Sequence, residues 1–475
     1  MHMDKNRLEQ QFAFCREIDK EKMIMRQTYR SDGQSKENDA EHAWHMAIMA
    51  ILLSEYANKK IDVLKTVTML LIHDIVEIDA GDTYAYDSEA KKSQRQREEK
   101  AANRIFGLLP EDQQKQFRAI WEEFEACETP EAKFARAMDN IQPIMLNALT
   151  NGKSWQEKGV HLSQILNRNM RTEEGSKELW KYAYANMLAP NVEKGRIKDG
   201  GMLVNNIVLN NGVAIPQIGI GVFLTPQGEV TENSVRWALE AGYRHVDTAM
   251  IYENEEDVGN AIKAGLVARE DIFITTKLWN EDIRQGRARE AFFESLKRLQ
   301  TDYVDLYLIH WPATGYEEAW KVMEELYKEG RIKAIGVSNF QIHHLEQLEK
   351  IASVVPAVNQ IESHPYFTNQ KVIDYCKEKN IAVEVWSPLG GTGGNLLEDK
   401  TLGELAAKYG KTPAQIVIRW DIQRDVIVLP KSVHRDRIIS NLDVFDFELE
   451  KEDMERIDRL NKDMRIGAHP DTFTF

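Results

Sequence analysis

The sequence predicts two domains of different class, an all-helical domain followed by an α/β domain of the (β/α)8 barrel type. Three observations predict it. At 475 residues the chain is too long for one ordinary hydrophobic core. Residues 1 to about 190 carry their apolar positions at helical spacing, whereas the rest alternates short apolar runs with amphipathic stretches. Between the two, APNVEKGRIKDGG (189–201) brings Pro190 and paired glycines, which is linker chemistry. The expected boundaries are 1–190 for the helical domain, 191–202 for the linker and 203–475 for the barrel.

In the first domain AEHAWHMAIMAILLSEYA, DVLKTVTMLLIHDIVE and EAKFARAMDNIQPIMLNAL read as apolar helices, and KKSQRQREEKAANRIFG and QQKQFRAIWEEFEA as more exposed ones split by LLPED. Six or more helices follow, with almost nothing that alternates like a strand. In the second, eight strand-helix units run in order. IGIGVF precedes ENSVRWALEAG, YRHVDTA precedes EEDVGNAIKAG, FITTKLW precedes REAFFESLKRLQ, and DLYLIHW precedes YEEAWKVMEELYKEG. IKAIGVSNF precedes IHHLEQLEKIA, AVNQIE precedes NQKVIDYCKEKN, IAVEVWSP precedes TLGELAAKYG, and VIVLPKS precedes HRDRIISNL. Gly219 and Gly221 in IGIGVF read as close-packing glycines of the first strand, since no Rossmann GxGxxG follows a strand here.

Composition narrows the class. A hydrophobic fraction of 43% and a charged fraction of 29% are those of a soluble globular protein, and a formal charge of -15 argues against a nucleic-acid polymer as partner. The three cysteines, Cys15, Cys127 and Cys376, show no CxxC spacing, which fits a reducing compartment. No run approaches the ~20 apolar residues of a membrane span, so a cytoplasmic enzyme is expected.

Within LLIHDIVEIDAGDTY, adjacent His73 and Asp74 sit in an apolar run, about 100° apart on a helix. Glu77 follows on the same general side, and His42 and Asp139 lie in two other apolar helices. Two imidazoles and two carboxylates can surround one divalent ion and remove the cost of burying those charges. A His-Asp pair by itself is more often a surface feature or a local hydrogen bond. His45, three residues after His42, reads as structural.

Residues 10 to 185 resemble the HD-domain phosphohydrolases, in particular the small YfbR-like 5'-deoxynucleotidase branch. AEHAWHMA, HDIVEIDAGD and AKFARAMDN carry the resemblance. It implies His42, His73, Asp74 and Asp139 as metal ligands, Glu77 as the residue that orients or activates water, and Asp82 beside phosphate and sugar. Arg26, in EKMIMRQTYR, matches a phosphate-contacting position. The implied reaction is metal-assisted hydrolysis of a phosphate monoester, with a nucleoside 5'-monophosphate as substrate.

In the barrel half Asp247 ends YRHVDTA, Tyr252 follows it, Lys277 ends FITTK and His310 ends DLYLIH. All four fall at the C-terminal ends of strands, where barrel enzymes gather their functional residues. A lone residue of these types there can serve only to close a loop; four together form an acid-base site. Tyr252 can give a proton to a carbonyl oxygen, with Lys277 expected to tune it downward, Asp247 to pair with Lys277, and His310 to orient the carbonyl.

Residues 203 to 475 resemble the aldo-keto reductases, in the branch of 2,5-diketo-gluconate and glyoxal or methylglyoxal reductases. HVDTAMIYENEEDVG, LIHWP, IKAIGVSNF, VNQIESHP and VLPKSVHRDRI carry that resemblance. It implies NADPH, with Ser338, Asn339 and Gln360 on the nicotinamide carboxamide and Trp386 stacked on its ring. Ser387 and Leu389 would line the pyrophosphate path, Lys431, Ser432 and Arg437 grip the 2'-phosphate, and Asn441 lie near adenine. A cationic cluster suits a dianionic phosphate. Phe223, Trp279 and Trp311 are expected to wall the reactive carbonyl, and the brief loop WPATGYEEAW suggests an open pocket for small aldehydes.

The expected whole is a bifunctional fusion acting on a small carbonyl compound and on a phosphate monoester, with a homodimer through the helical half. The alternatives are that this half is a non-catalytic nucleotide-binding or dimerisation module, or a sugar-phosphate phosphatase.

Overall fold

The computed structural model describes residues 5–81, 88–198, 206–264, 267–391 and 395–475. The chain divides into two compact units, Met1–Asp199 and Gly200–Phe475.

The first unit is built from helices, chiefly Asp39–Leu53, Val63–Ile72, Ser88–Phe106, Glu111–Ala126 and Pro130–Leu149. Their starts follow from sequence. Asn38 and Glu41 form a reciprocal capping box on Asp39–Leu53, Asp62 caps Val63–Ile72, and Thr129 caps Pro130–Leu149 with Pro130 in the first turn. The core joins Met46, Met69, Phe134 and Met138 from three helices, and a second cluster gathers Ile72, Ile105, Phe106 and Trp121. Each such side chain, once buried, stabilises the fold by roughly 1.5–3 kcal/mol.

Two local differences from the sequence reading matter. The unit is not wholly helical: Met25–Tyr29 and Lys36–Asn38 pair as a short antiparallel hairpin. Five and three residues are too few for alternation to stand out from helical spacing. The segment 191–198 also belongs to the first unit and is not a free linker. Helix Ala189–Glu193 continues the chain, Arg196 and Ile197 donate backbone N–H to the Asn191 carbonyl, and Lys198 bridges to His161.

The second unit holds eight parallel strands: Ile220–Gly221, His245–Asp247, Phe273–Leu278, Val304–Ile309, Ile332–Ser338, Val358–Glu362, Ala382–Trp386 and Ile427–Val428. Each pairs with its sequence neighbour, and a bridge from Ile218 to Val428 joins the first to the last, so the sheet closes into a barrel. Phe273–Leu278 and Val304–Ile309 are buried at every position, as strands covered on both faces must be. A preceding hairpin, Asn206–Val208 with Ala214–Pro216, sends Ile215 and the adjoining Leu209 into a cluster with Phe273, Leu306 and Leu308. Gly219 is a close-packing glycine, since a Cβ there would lie 2.7 Å from His245 Nδ1. At Gly221 an added Cβ would meet ordinary contacts of 3.6 Å or more, so packing does not require glycine there.

Candidate functional sites

In the helical unit, helix Val63–Ile72 passes into a tighter turn at His73–Val76, which places His73 and Asp74 at its inner end. His73 Nδ1 lies 3.0 Å from the Leu70 carbonyl oxygen, which can only accept, so Nδ1 carries the proton and Nε2 points onward. His42 Nδ1 lies 3.0 Å from Gln142 Oε1, and the Gln142 amide is oriented by its N–H to Glu37 at 2.6 Å. His42 Nε2 is thus the inward atom, 3.2 Å from Asp139 Oδ1. His42, His73 and Asp139 bring one ligand atom each within 4.8 Å of one another, all buried. His73 Nε2 lies 3.0 Å from Asp74 Oδ1 and 3.9 Å from Asp139 Oδ1, without a hydrogen bond to either.

That donor set fits a divalent cation: two imidazole nitrogens fixed from behind and a carboxylate, all out of water. Asp74 is adjacent, but its other oxygen is held by Arg26 at 2.9 Å, and the three-residue cluster forms without it. Electrostatics agree with an electron-rich centre. Burial opposes charge on both rings, yet Asp74 and Asp139 carry His73 up to about 10; His42 also rises against burial and Arg26 because of Asp139 and Glu37. Burial pushes the carboxylates the other way, but His73 and Arg26 hold Asp74 low, and His42 and His73 hold Asp139 low.

Arg26, on the hairpin strand, is buried and also donates to Asp39 Oδ1 at 3.1 Å, so it organises the acidic side of the site. Glu77 is buried on the next turn and lines the same cavity. Asp82 lies outside the described residues. Two residues that sequence reading missed also line the cavity. Arg136 Nη1 and Arg168 Nη2 stand 3.5 and 3.7 Å from the outer oxygen of Asp139. Arg136 is one turn before Asp139 on the same helix, a signal that was available; Arg168 arrives from helix Leu162–Arg168 and had none. Pro143 stands four residues after Asp139 inside the helix, so the Asp139 carbonyl has no N–H to accept there.

In the barrel, the four expected residues meet at one place. Lys277, fully buried, donates to Asp247 Oδ1 at 2.7 Å, to the Thr248 carbonyl at 2.9 Å and to Tyr252 Oη at 3.3 Å. The Tyr252 ring lies edge-on to His310 at 5.7 Å, and His310 edge-on to Trp279 at 5.2 Å. Burial and the Lys277 charge hold His310 well below its ordinary value, so it is a neutral imidazole. Asp247 keeps Lys277 above its ordinary value in spite of burial.

One expectation is corrected here. Tyr252 is raised, not lowered: loss of water around the phenol outweighs the pull of Lys277, whose charge is also shared with Asp247. Lys277 limits the rise and does not reverse it.

The residues expected around nicotinamide also converge. Ser338 Oγ donates to the Gln360 carbonyl at 3.0 Å, and Asn339, at φ 63°, donates to the His310 carbonyl at 3.0 Å. Trp386 Nε1 donates to Asn339 Oδ1 at 3.0 Å, which fixes the indole plane. Ser387 also has positive φ, 51°, at the end of the same strand. Leu389 is partly buried against the cluster of Tyr366, Leu396 and Trp420, so its packing role is the visible one. Lys431 and Arg437 are exposed, Ser432 is buried and caps the turn at His434 N, and Asn441 is buried in helix Arg435–Leu442. Arg435 in the same stretch is held by Glu240 at 2.9 Å. Two exposed cations beside the open end of the last strand fit a phosphate.

The pocket wall differs from the open one expected. Phe223 and Trp279 are present, 4.9 Å from Tyr252 and 5.2 Å from His310 respectively. But the segment 465–475 returns across Trp279 and Trp311: Phe475 stacks on Trp279 at 5.9 Å, and both Phe473 and Phe475 contact Trp311 at 5.1 Å. Glu362, fully buried, anchors this segment by accepting the Ile466 and Gly467 N–H groups at 2.6 and 3.1 Å.

The family model for the aldo/keto reductases matches residues 218–462. The chain belongs to the aldo/keto reductase family. Residues 18–180 match the HD domain, so an HD-type module precedes the reductase domain. Over 274 residues the chain is 51% identical to glyoxal reductase of Bacillus subtilis (strain 168), covering 58% of this chain and 99% of that protein. Methylglyoxal reductase DkgA of Escherichia coli (strain K12) is 49% identical over 270 residues, 56% of this chain and 97% of that one. A solved aldo-keto reductase, MGS-M4 from a Medee basin deep-sea metagenome library, is 47% identical, with a TM-score of 0.55 over 57% of this chain and 100% of that chain. Among the described residues no helix is long and apolar enough to cross a membrane.

Proposed function

We propose that the barrel reduces small aldehydes and ketoaldehydes of the glyoxal and methylglyoxal type with NADPH. The observation that carries this is the Lys277 ammonium, joined at once to Asp247 and to Tyr252 Oη beside a neutral His310. NADPH, when bound, supplies the hydride. Ser338, Asn339 and Gln360 would hold its carboxamide and Trp386 its ring, with Lys431, Ser432 and Arg437 at the 2'-phosphate. Tyr252 gives its proton to the carbonyl oxygen as negative charge develops there, and Lys277 stabilises the tyrosinate left behind. His310 orients the carbonyl, and the apolar wall of Trp279, Trp311 and Phe475 excludes water. The identities to glyoxal and methylglyoxal reductases support small dicarbonyls as substrates. The test is NADPH oxidation with a panel of aldehydes, ketoacids and keto-sugar acids; indifference to small aldehydes would refute the substrate class.

We further propose that the HD-type unit is a divalent-metal phosphohydrolase of the YfbR-like kind, acting on a (deoxy)nucleoside 5'-monophosphate. His42, His73 and Asp139, with Asp74 beside them, would hold the ion, which supplies Lewis acidity. Glu77 would orient the attacking water, and Arg136 and Arg168 give the cavity positive charge where a phosphate would lie. Metal analysis and a phosphate-release panel of nucleoside and sugar phosphates test this. Release from sugar phosphates alone, or ligand binding without release, would favour the sugar phosphatase or the non-catalytic module.

A homodimer through this unit is favoured by one observation. Trp44, Ile48, Ile51 and Leu52 form an exposed apolar stripe at helical spacing on Asp39–Leu53. Light scattering of wild type against W44E/I48E tests it.

A further inference from the structure

Beneath the four acid-base residues lies a pair of buried titratable groups that the proposed reduction leaves unused. Glu384 and His245 face the barrel interior from the seventh and second strands, both without exposure. Gln360 uses one N–H on Asp247 Oδ2 at 2.8 Å and the other on Glu384 Oε2 at 2.7 Å. One amide therefore ties two carboxyl groups together, and only its Oε1 is left for a cofactor carboxamide.

The two carboxyls are not equivalently placed. Asp247 has the Lys277 ammonium at 2.7 Å, whereas among the described residues Glu384 has no cation in hydrogen-bond reach. Its second oxygen, Oε1, is buried without a donor and stands 3.4 Å from His245 Nε2. A carboxylate oxygen buried beside an imidazole nitrogen with nothing donated to it is costly; a proton on that oxygen turns it into a donor. The groups facing Glu384 are His245 and Asp247 from the second strand, Lys277 from the third, Gln360 from the sixth, and Tyr252 beyond them. Among these described residues one cation, Lys277, balances one carboxylate.

We propose that Glu384 works in its neutral, protonated form as a positioning residue, sharing Gln360 with Asp247 so that Lys277 answers to one carboxylate only. It rests on the reading of Tyr252 as proton donor. Burial, with Asp247 reinforcing it, pushes the Glu384 carboxyl up to about 8, and burial with the Lys277 charge keeps His245 down at about 3. Loss of the Glu384 proton would place a second negative charge near Lys277 and Tyr252. The phenol would then give up its proton less readily, and carbonyl reduction would slow on the alkaline side.

Glu384→Gln is the test, because the amide copies the protonated acid and cannot ionise. With the full chain and methylglyoxal, E384Q should keep kcat within about threefold of wild type near pH 6.5. It should then exceed wild type at pH 9, where the wild-type rate has fallen. A hundredfold loss at pH 6.5, or an alkaline limb identical to that of wild type, overturns the proposal. Infrared spectroscopy gives a second reading that needs no turnover. Burial also raises Asp421 and Glu21 to about 7, so the reading is the difference: wild type minus E384Q should show an acid carbonyl band at pH 6.5 that fades by about pH 9.5. Should E384Q fail to fold, E384D takes its place: the band should move in frequency between wild type and E384D, and an unchanged band overturns the proposal. If Y252F turned over normally while the band behaved as described, the proton-donor reading would fall and the protonated Glu384 would stand.

Discussion

His42 Nε2 faces Asp139 Oδ1 across 3.2 Å, and its ring is fixed from behind by Gln142, so a lone pair meets a carboxylate unless something positive lies between. This relationship makes the helical unit a place for a cation, and it leads to the first prediction.

A divalent ion at a hundredfold excess over its Kd should stabilise the helical unit by ~2.7 kcal/mol. Thermal melts of the full chain with and without added manganese, zinc or magnesium read this. D139N should remove the response together with phosphate release. An equal shift in D139N would place the ion elsewhere.

Tyr252→Phe should lower kcat for methylglyoxal reduction by ~100-fold or more, the usual scale for losing a general acid. NADPH affinity, followed by quenching of tryptophan fluorescence, should stay within about twofold, since the phenol oxygen contacts Lys277 and not the cofactor residues. A K277M variant should lose rate to a similar degree, because an unpaired buried Asp247 and an unassisted Tyr252 remain.

His310 is held neutral by burial and by Lys277, so it does not titrate near its ordinary value. The rate of carbonyl reduction should therefore show no acidic limb around pH 6.5. A limb there that vanished in H310Q would contradict a neutral His310. Above neutral pH the profile is governed by Glu384 and then by Tyr252, whose raised pKa keeps the phenol protonated further into the alkaline range.

Phe475 stacks on Trp279 and meets Trp311 edge-on. Aromatic contacts of this kind are worth ~0.5–1.5 kcal/mol each. F475A should raise KM for methylglyoxal by up to ~10-fold and leave kcat nearly intact. An unchanged KM would mean that the returning segment covers the pocket without shaping it.

Gly219→Ala would drive a Cβ to 2.7 Å from the His245 ring and 2.8 Å from Leu429. Overpacking of this kind costs ~1–3 kcal/mol, read as a lower midpoint for the barrel transition in urea. G221A, with 3.6 Å to its nearest neighbour, should be near neutral and serves as the control.

How much of this was legible follows from where each signal sits. His73 and Asp74, or Asp247 and Tyr252, lie close in sequence on elements of clear periodicity, and their neighbours spell motifs. Arg168 and Gln142 touch the HD site only because separate helices cross there, and no local pattern announces them. Phe473 and Phe475 reach Trp311 across about 160 residues of chain, so the brief loop after Trp311 gave a false impression of openness. The downward tuning expected of Tyr252 failed for a related reason: adjacency to Lys277 was readable, but the depth of burial that outweighs it is a property of the closed barrel. Glu384 reads as one polar residue in IAVEVWSP, and only the inward face of its strand gives it meaning.

On the proposed reading one chain carries two independent centres, Tyr252 with Lys277 in the barrel and His42, His73 and Asp139 in the helical unit. The most direct measurement assays NADPH-dependent methylglyoxal reduction and metal-dependent phosphate release on full-length wild type, Y252F and D139N. The expected result is a double dissociation: Y252F loses reduction and keeps release, while D139N loses release and keeps reduction. Loss of both activities in either variant, or retention of both, would contradict it.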